Sequence, residues 1–306
     1  MCTAIYDDGL FGRTLDLECS YGESVVITPR GYRFKYLYEN DTGDNAIIGV
    51  AHIENGVPLY YDAMNENGLC IAGLNFPKYA VYQPHIEGKI NIASFELIPF
   101  ILRNCDSIKD AIEVLKDINI TNDSFSENLP ASPLHWMIAG KNETIVVEAI
   151  KDYLKIYKNP FGVMTNSPDF NFHKINLSNY MMLDSKAHTN TLCSTELTKY
   201  SRGLGAFGLP GDFSSASRFV RAVFVKNHTV VNDDNVGRFF HITDSVSVPK
   251  GCIITDTGEA VYTVYTSCMD ISKCDFYYTT YENRSIKKIG LYDYNLDCSE
   301  LCKITM

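Results

Sequence analysis

Hydrophobic and polar positions along the chain predict a mixture of strands and helices without a regular β–α–β alternation. Several strand-like runs are joined by short polar turns, such as the turn at residues 140–143. Such closely spaced strands favour antiparallel sheets. The runs lie at residues 68–76, 134–139, 144–149, 153–157, 162–165, 260–267 and 276–281.

Helical periodicity appears in four segments, at residues 95–103, 108–118, 217–225 and 236–242. The second segment follows the cap candidate Asp106-Ser107, and the third follows Pro210-Gly211-Asp212. Strands near both ends of the chain, with helices in two central groups, fit antiparallel sheets covered by helices. The pattern therefore predicts an α+β fold.

The sharpest local prediction is a hairpin at the N-terminus. Strand-like runs at residues 2–6 and 10–16 flank Asp7-Asp8-Gly9, and Asp-Gly between such runs is a strong hairpin signal. If Asp8-Gly9 forms the loop, Cys2 and Arg13 lie diagonally on one face of the ribbon. A three-residue loop would shift the register and remove Arg13 from that face. The two-residue loop predicts the pairs Tyr6–Phe11, Ala4–Arg13 and Cys2–Leu15.

The length and composition predict one globular domain spanning residues 1–306. The chain is 45% hydrophobic, and no Pro/Gly/Ser-rich linker, charge block, repeat or low-complexity segment divides it. Its N-terminus lacks the basic start and apolar stretch of a signal peptide, and no apolar run reaches the ~18 residues of a membrane span. We therefore expect a soluble protein of the cytoplasm.

Charge and cysteine content narrow the range of partners. With 27 basic and 37 acidic residues, the net charge of −10 argues against nucleic acid or an anionic membrane as a general partner. The ten cysteines are expected to be reduced thiols, several of them buried. Cys298 and Cys302 are four residues apart, but neither the histidines nor the other cysteines form a recognisable metal-binding spacing. No metal is expected.

Met1-Cys2 carries the most specific chemistry in the sequence. Removal of Met1 would leave Cys2 with a free α-amine beside its thiol, so that one residue supplies both nucleophile and base. A cation at Arg13 would favour the thiolate, and the Asp16 carboxylate could reach the new ammonium. Taken alone, Arg13 and Asp16 are better interpreted as a surface ion pair on a hairpin.

Three polar clusters interrupt apolar or turn segments. Asn75 ends a strand-like run before Phe76-Pro77, and Asn166 stands at a strand exit that the following proline keeps extended. Asparagine amides are suitable donors to an oxyanion. The third cluster, residues 200–219, is rich in glycine, but it lacks both a Walker lysine and a dinucleotide fingerprint. For each cluster, ordinary turn chemistry is the alternative.

Together, these segments closely resemble the choloylglycine hydrolases, a family that includes conjugated bile acid hydrolases and penicillin V acylases. The resemblance covers essentially the whole chain, in many ordered matches. The matching segments are Met1-Cys2-Thr3-Ala4-Ile5, Phe11-Gly12-Arg13-Thr14-Leu15-Asp16-Leu17-Glu18, Val26-Ile27-Thr28-Pro29-Arg30, Ala72-Gly73-Leu74-Asn75-Phe76-Pro77, Ser132-Pro133-Leu134-His135-Trp136, Thr165-Asn166, Gly208-Leu209-Pro210-Gly211-Asp212 and Ser217-Arg218-Phe219.

The resemblance implies an N-terminal nucleophile hydrolase with two antiparallel sheets between helical layers, an αββα sandwich, commonly assembled as a homotetramer. Cys2 would be the nucleophile, with its own α-amine as base and acid and with no cofactor. The remaining catalytic positions carried over are Arg13, Asp16, Asn75, Asn166 and Arg218. In these roles Arg13 supports the thiolate, Asp16 holds the amine, both asparagines serve the oxyanion, and Arg218 completes the polar network. The chain departs from many relatives in its short first hairpin.

The resemblance also suggests the substrate, a glycine- or taurine-conjugated bile acid. Such a substrate combines an apolar steroid with a short anionic tail and calls for apolar side chains beside a local positive charge. The candidates for these contacts are Arg202, Phe207, Leu209 and Phe213, although all four could instead serve packing. Two alternatives stay open: a penicillin V or N-acyl amino acid acylase with the same machinery, and a ligand-binding protein without catalysis.

Overall fold

Two large antiparallel sheets form the centre of the molecule, which a computed structural model describes for residues 1–151, 153–231 and 234–306. The strands are β1 (Cys2–Asp7), β2 (Leu10–Leu17), β3 (Ser24–Thr28), β4 (Ile47–Glu54), β5 (Val57–Asn65), β6 (Cys70–Asn75), β7 (Ile90–Ala93), β8 (Ile118–Thr121), β9 (Leu134–Ala139), β10 (Thr144–Ile150), β11 (Tyr153–Lys158), β12 (Val163–Met164), β13 (Ile253–Ile254), β14 (Ala260–Asp270), β15 (Asp275–Thr280), β16 (Lys287–Gly290) and β17 (Cys302–Thr305). The helices are α1 (Leu97–Asn104), α2 (Ile108–Leu115), α3 (Phe170–Asn176), α4 (Ser215–His228) and α5 (Asn235–Asp244). Short 3₁₀ helices lie at Leu177–Tyr180, Leu204–Ala206 and Leu291–Asp293.

The order of the strands joins distant parts of the chain. The first sheet runs β12-β1-β2-β14-β15-β16, with β13 paired to β14. The second runs β11-β10-β9-β6-β5-β4-β3-β17, and β7 and β8 form a separate parallel pair. The N-terminal hairpin therefore lies between a strand from the middle of the chain and strands from its last fifty residues.

The apolar side chains are arranged in four layers. Alternate residues of β3 show the two-sided burial: Val25 and Ile27 join the core between the sheets, and Val26 faces the core beneath α1 and α2. On the first sheet, α4 packs against β1 and β12, while α5 packs against β2 and β14. The order helix, sheet, sheet, helix confirms the predicted α+β fold and its αββα arrangement.

The N-terminal hairpin forms with the predicted two-residue loop. Asp8 and Gly9 both have positive φ, at 48° and 79°, as a type I′ turn requires. Cys2 pairs with Leu15, Ala4 with Arg13 and Tyr6 with Phe11, so the predicted register is confirmed. In the part of the chain that the structure describes, no helix is both long and apolar enough to cross a membrane.

Most of the remaining predicted elements are present with shifted ends. Residues 134–139 form β9 as predicted, whereas the helix predicted at 108–118 ends at Leu115, and Ile118 already begins β8. The helix predicted at 95–103 starts at Leu97, because residues 94–96 form a turn. Elements that the pattern did not predict include α3 and the strands β3, β4, β5, β7, β8, β13, β16 and β17.

Candidate active site

The register of the first sheet places Asn166 beside Cys2. β12 pairs with β1 through Met164 opposite Ala4, and two further residues along each antiparallel chain are Asn166 and Cys2. The side chain of Asn166 completes this approach, because its Oδ1 accepts a hydrogen bond of 2.8 Å from the Cys2 main-chain nitrogen. Cys2 is 2% exposed. The nitrogen and the thiol of one residue thus lie in a closed, polar corner of the fold.

Arg218 fixes the orientation of the Asn166 amide. Its guanidinium is buried and donates to the Cys2 carbonyl at 2.6 Å, to Thr3 Oγ1 at 2.6 Å and to Asn166 Oδ1 at 2.7 Å. Because arginine only donates, Oδ1 must face it, and Asn166 Nδ2 must point away. Burial lowers the pKa of Arg218, and the neighbouring Asp16 and Cys2 oppose that effect.

The Asn166 amide nitrogen is in turn held by the second sheet. Nδ2 donates to the main-chain carbonyl of Asn75 at 2.7 Å. Asn75 is the last residue of β6, where it pairs with Leu134 of β9. The contact that joins Asn75 to this cluster is therefore made by its carbonyl oxygen, at the end of a strand whose position the neighbouring strand fixes.

Arg13 crosses from the first sheet to the second. It is buried, and its Nη1 donates to the carbonyls of Gly73 at 2.6 Å and Tyr61 at 3.3 Å. Burial disfavours the charged guanidinium, but the Cys2 thiol and the acidic groups of Tyr265, Asp62 and Asp16 raise the pKa of Arg13 above its ordinary value. Arg13 is thus a permanent cation beside Cys2, as the hairpin register predicted.

Asp16 is a fully buried carboxylate held by hydroxyl groups. Thr14 Oγ1 donates to Oδ2 at 3.1 Å, and Thr263 Oγ1 of β14 donates to Oδ1 at 2.7 Å. The main chain of Asp16 is paired with Met1: its N–H donates to the Met1 carbonyl at 2.9 Å, and its carbonyl accepts from the Met1 amine. With Met1 attached, the Cys2 nitrogen donates to Asn166. Cys2 pairs with Leu15 in the β1–β2 ladder, so Asp16 lies one residue beyond the partner of Cys2.

The whole-chain comparison decides which kind of site this is. The family described as linear amide C–N hydrolases, choloylglycine hydrolase family, matches residues 2–304. The chain belongs to the choloylglycine hydrolase family. It is accordingly a hydrolase of linear amides, which confirms the enzyme class predicted from the sequence. In the described residues of this choloylglycine hydrolase, no group of three or more His, Cys, Asp or Glu side chains is placed to hold a metal ion.

Individual members of the choloylglycine hydrolase family match along nearly the full length. The chain is 47% identical to the bile salt hydrolase/transferase of Lactiplantibacillus plantarum, covering 98% of this chain and 95% of the relative. It is 40% identical to the conjugated bile acid hydrolase of Lactobacillus gasseri, covering 98% and 99%. A crystal structure of mutant conjugated bile acid hydrolase from Clostridium perfringens superposes with a TM-score of 0.94 at 37% identity, covering 100% and 97%. Penicillin V acylase from Agrobacterium tumefaciens shares the fold, with a TM-score of 0.78 at 19% identity, covering 100% and 91%.

The residues suggested for substrate contact all lie within residues 200–213. Arg202 and Phe207 are exposed, Phe207 by 81%, and Leu209 and Phe213 are half-buried. Phe213 is joined to the catalytic cluster by its carbonyl, which accepts from Arg218 Nε at 3.0 Å. The structure thus places Phe213 next to the site through its main chain, and Arg202 and Phe207 on the surface.

Sequence reasoning missed a buried acid beside Arg13. Asp62 of β5 is fully buried, accepts from Ser267 Oγ at 2.7 Å and also accepts from the Tyr265 hydroxyl. Burial raises the pKa of Asp62, while the positive charge of Arg13 lowers it. The only sequence signal for this contact was the position of Asp62 between Tyr61 and Ala63. Its partners, Tyr265 and Ser267, lie more than 200 residues further along the chain.

All ten cysteines are free thiols. Cys2, Cys70, Cys105, Cys268 and Cys274 are buried, whereas Cys19, Cys193 and Cys252 are exposed. Burial raises the pKa of Cys70 and Cys268 well above the ordinary value. Among the buried thiols, Cys2 has the close cation Arg13, so its surroundings differ from those of a thiol that serves packing alone.

Proposed function

We propose that this choloylglycine hydrolase is a bile salt hydrolase that cleaves the amide of glycine- or taurine-conjugated bile acids. The observation that carries the proposal is the closed set of contacts around one residue: the nitrogen and carbonyl of Cys2 are bound by Asn166 and Arg218. The relatives at 40% and 47% identity are named for bile salts or conjugated bile acids.

Cys2 acts as nucleophile, with its own α-amine as base. Removal of Met1 converts the main-chain nitrogen, now an amide donor to Asn166, into a primary amine at the same place. The amine takes the thiol proton, and the sulfur attacks the substrate carbonyl carbon. The carbon–nitrogen bond then breaks, glycine or taurine leaves with the proton, and a thioester remains. Water, activated by the same amine, hydrolyses the thioester to the free bile acid.

The Asn166 amide stabilises the charge that develops on the carbonyl oxygen. One of its Nδ2 hydrogens is donated to Asn75, and an amide carries two, so the second is available to an oxyanion. Arg218 keeps that nitrogen turned away from itself and toward the Asn75 carbonyl. Loss of one such donor typically lowers the rate by roughly 10²–10³-fold.

Arg13 and Asp16 supply opposite charges to the two ends of Cys2. The buried guanidinium of Arg13 favours the thiolate over the thiol. Asp16 is the residue whose main chain pairs with Met1 in the intact chain, so its buried carboxylate lies one ladder position from the nitrogen that becomes the released ammonium. Thr14 and Thr263 hold it there.

Arg202, Phe207, Leu209 and Phe213 remain the proposed contacts for the steroid and its anionic tail. An exposed arginine and an exposed aromatic ring, in the segment that leads to Phe213, suit an amphipathic anion. The penicillin V acylase shares only 19% identity, so its likeness supports the fold and gives no reason to prefer its substrate.

One experiment tests the substrate. Purified protein, with loss of Met1 confirmed by intact mass, is incubated with glycocholate, taurocholate and penicillin V together, and each acid product is followed by mass spectrometry. Release of cholate with little penicillin cleavage is expected. Preferential cleavage of penicillin V would instead support a penicillin V acylase. If none of the three substrates is cleaved, the protein is a family member without bile salt hydrolase activity.

Two variants test the mechanism in the same assay. Cys2→Ala should abolish turnover without unfolding the protein, because it removes the attacking sulfur alone. Cys70→Ala is the matched control, since Cys70 is also buried but lies on β6 without a role in the proposed reaction. Full activity of Cys2→Ala, or of protein that retains Met1, would contradict the thioester mechanism.

The assembly and location stay predictions from the sequence. We propose a homotetramer acting in the cytoplasm on a small-molecule substrate. The mass of the particle in solution, measured by light scattering after gel filtration, tests the assembly: four times 34.4 kDa is expected, and a monomer would contradict it.

A further inference from the structure

Two buried histidines bind consecutive main-chain carbonyls at the segment that carries Asn166. His135 of β9 contacts the carbonyl oxygen of Thr165 through Nε2, at 2.7 Å. His173 of α3 contacts the carbonyl oxygen of Asn166 through Nε2, at 2.8 Å. The two imidazoles are 1% and 2% exposed. A carbonyl accepts, so both Nε2 atoms carry hydrogen.

We infer that His135 and His173 are positioning residues, whose bonds to the Thr165 and Asn166 carbonyls hold the Asn166 amide in the geometry that hydrolysis requires. The inference deepens the proposed function, on which it rests. Neither ring touches Cys2 in the described contacts, so each acts through the main chain of Asn166 and not on the substrate.

His135 is also held by contacts at its Nδ1 atom and at one face of its ring. Its Nδ1 lies 3.3 Å from Glu148 Oε1, and the ring stacks on Phe76 with 4.2 Å between centroids. The same carboxylate oxygen accepts from the main-chain N–H of Phe170, the first residue of α3, at 2.9 Å. Both ring nitrogens of His135 therefore face an acceptor oxygen. Glu148 thereby joins β10, His135 and the start of α3 into one unit.

His173 has only one described polar contact on its ring. The ring stacks on Phe219 of α4 at 5.0 Å, and its Nδ1 has no hydrogen-bond partner among the described residues. Burial lowers the pKa of His173 to about 4, so the ring is neutral at neutral pH and places its single hydrogen on Nε2. The hydrogen bond to the Asn166 carbonyl is therefore the polar contact that fixes the position of this ring.

The other polar groups of residues 165–167 are also bound, which leaves the segment little freedom. Thr165 Oγ1 donates to the Ser215 carbonyl at 2.9 Å, and the Ser167 carbonyl accepts from Ser215 Oγ. Ser167 Oγ donates to the Pro77 carbonyl at 2.9 Å. The carbonyls of residues 165 and 166 are the two whose partners come from imidazoles. A displacement of about 1 Å at a catalytic group can lower a rate by roughly 10²-fold.

Substitution by glutamine and by asparagine separates positioning from packing. A glutamine amide reaches the place of Nε2, whereas an asparagine amide reaches only the place of Nδ1. His173→Gln can therefore keep the bond to Asn166, and His173→Asn cannot. His135→Gln can keep the bond to Thr165, and His135→Asn keeps only the contact with Glu148. Each pair has similar polarity and burial, so a purely structural role predicts equal effects within a pair.

The variants are compared by kcat and KM for glycocholate, and folding is checked by the free energy of unfolding. At each position we expect kcat of the asparagine variant to be roughly 10–100-fold below that of the glutamine variant, with KM within about twofold. His228→Asn and His228→Gln are controls, because His228 also contacts a main-chain carbonyl, at 2.8 Å, and stacks on Phe224, but on the exposed end of α4. These two should both keep the wild-type kcat.

The outcomes separate this inference from the proposed function. Wild-type protein that releases no cholate would contradict the bile salt assignment, and the same variants would then be compared on whichever amide the wild type cleaves. An active wild type whose glutamine and asparagine variants lose kcat equally would overturn the positioning role. An effect on KM alone would overturn it as well.

Discussion

The carboxylate of Asp16 depends on a hydroxyl that comes from 247 residues later in the chain, on Thr263. Thr263→Val removes this donor and leaves a buried carboxylate oxygen without it. We expect the free energy of unfolding to fall by about 1–3 kcal/mol, the usual cost of leaving a buried polar group without its partner. Urea denaturation measures the change, and kcat should fall as well.

Thr266 provides the matched control on the same strand. It is fully buried on β14, and its hydroxyl has no hydrogen-bond partner in the described part of the chain. Thr266→Val replaces that hydroxyl with a methyl group of the same shape and should leave stability unchanged or slightly higher. Equal destabilisation by both substitutions would mean that the bond to Asp16 is not the cause.

His173 makes stability depend on pH. Its pKa is lowered from 6.5 to about 4 in the folded protein, chiefly by burial, so between those values the unfolded chain binds the proton and the folded chain does not. The contribution is complete above pH 6.5 and is lost as pH falls toward 4. We expect the free energy of unfolding to drop by about 1.4 kcal/mol per pH unit from this group within that window.

The comparison with His173→Gln isolates the effect from other titrating groups. Glutamine does not titrate, so the difference in free energy of unfolding between wild type and variant should narrow as pH falls from 6.5 to 4. Urea denaturation at three pH values in that range is sufficient. A constant difference would show that folding does not lower the pKa of His173.

At the residue scale, the local sequence around the hairpin predicted the relative positions of two site residues. Cys2 and Arg13 followed from the hairpin register, because their relation depends only on a two-residue loop. Asn166 and Arg218 were found from turn context, but their roles came from the resemblance. Asp62 and Thr263 were missed, because the contacts that give them meaning join strands far apart in sequence.

At the scale of elements, the turn of the N-terminal hairpin depends on the backbone conformation of Gly9. Gly9 has φ of 79°, and a Cβ there would meet no atom within 4 Å, so backbone strain alone opposes a side chain. Gly9→Ala should lower the free energy of unfolding by about 1–2 kcal/mol, the usual cost of the left-handed conformation for other residues. Denaturation with urea measures it.

Gly211 is the control for this prediction. A Cβ at Gly211 also meets nothing within 4 Å, but its φ is outside the left-handed range. Gly211→Ala should therefore be neutral or stabilise the protein by up to about 1 kcal/mol, since alanine restricts the unfolded chain. A loss of stability at Gly211 equal to that at Gly9 would remove φ as the explanation.

Two of the elements that the pattern failed to predict, β5 and α3, have different physical causes. β5 contains Pro58 near its start and the buried acid Asp62, so its sequence lacks the clean alternation of a half-buried strand. α3 is only seven residues long, and its periodicity is too brief to detect, although Asp169 caps it by accepting from the Phe172 N–H. By contrast, β9 is apolar except for His135 and was predicted with its correct ends.

At the scale of the whole molecule, Asp62 ties the two sheets together. It lies on β5 of the second sheet and accepts from Tyr265 and Ser267 on β14 of the first. Tyr265→Phe removes one donor from a buried carboxylate and should lower the free energy of unfolding by about 1–3 kcal/mol. Thermal and urea denaturation both measure this loss.

Tyr36→Phe tests whether any buried tyrosine hydroxyl would give the same result. Tyr36 is buried against Phe34 and Phe100, and its hydroxyl has no partner within the described residues. Its removal should leave stability within about 0.5 kcal/mol of wild type. If Tyr36→Phe were as destabilising as Tyr265→Phe, the tie between the sheets would not explain the loss.

The layers of the whole fold could be predicted, but the order of the strands could not. Strands at both ends and helices in two groups indicated helix-covered antiparallel sheets, and the structure has that arrangement. The pairing of β2 with β14 and of β6 with β9 joins segments separated by a long stretch of chain. Local pattern contains no information on such partners, because it reports which face is buried and not which strand lies beside it.

The difference in solvent exposure between Cys2 and the surface thiols determines which covalent reagents can label the active site of this enzyme. Cys2 is 2% exposed, whereas Cys19, Cys193 and Cys252 are open to solvent. A small alkylating reagent will therefore modify the surface first, and its stoichiometry will count accessible thiols and not active sites. An inhibitor selective for Cys2 must therefore resemble the substrate. Binding in the substrate site then places its electrophile next to the buried sulfur, which a small reagent in solution modifies more slowly than the exposed thiols.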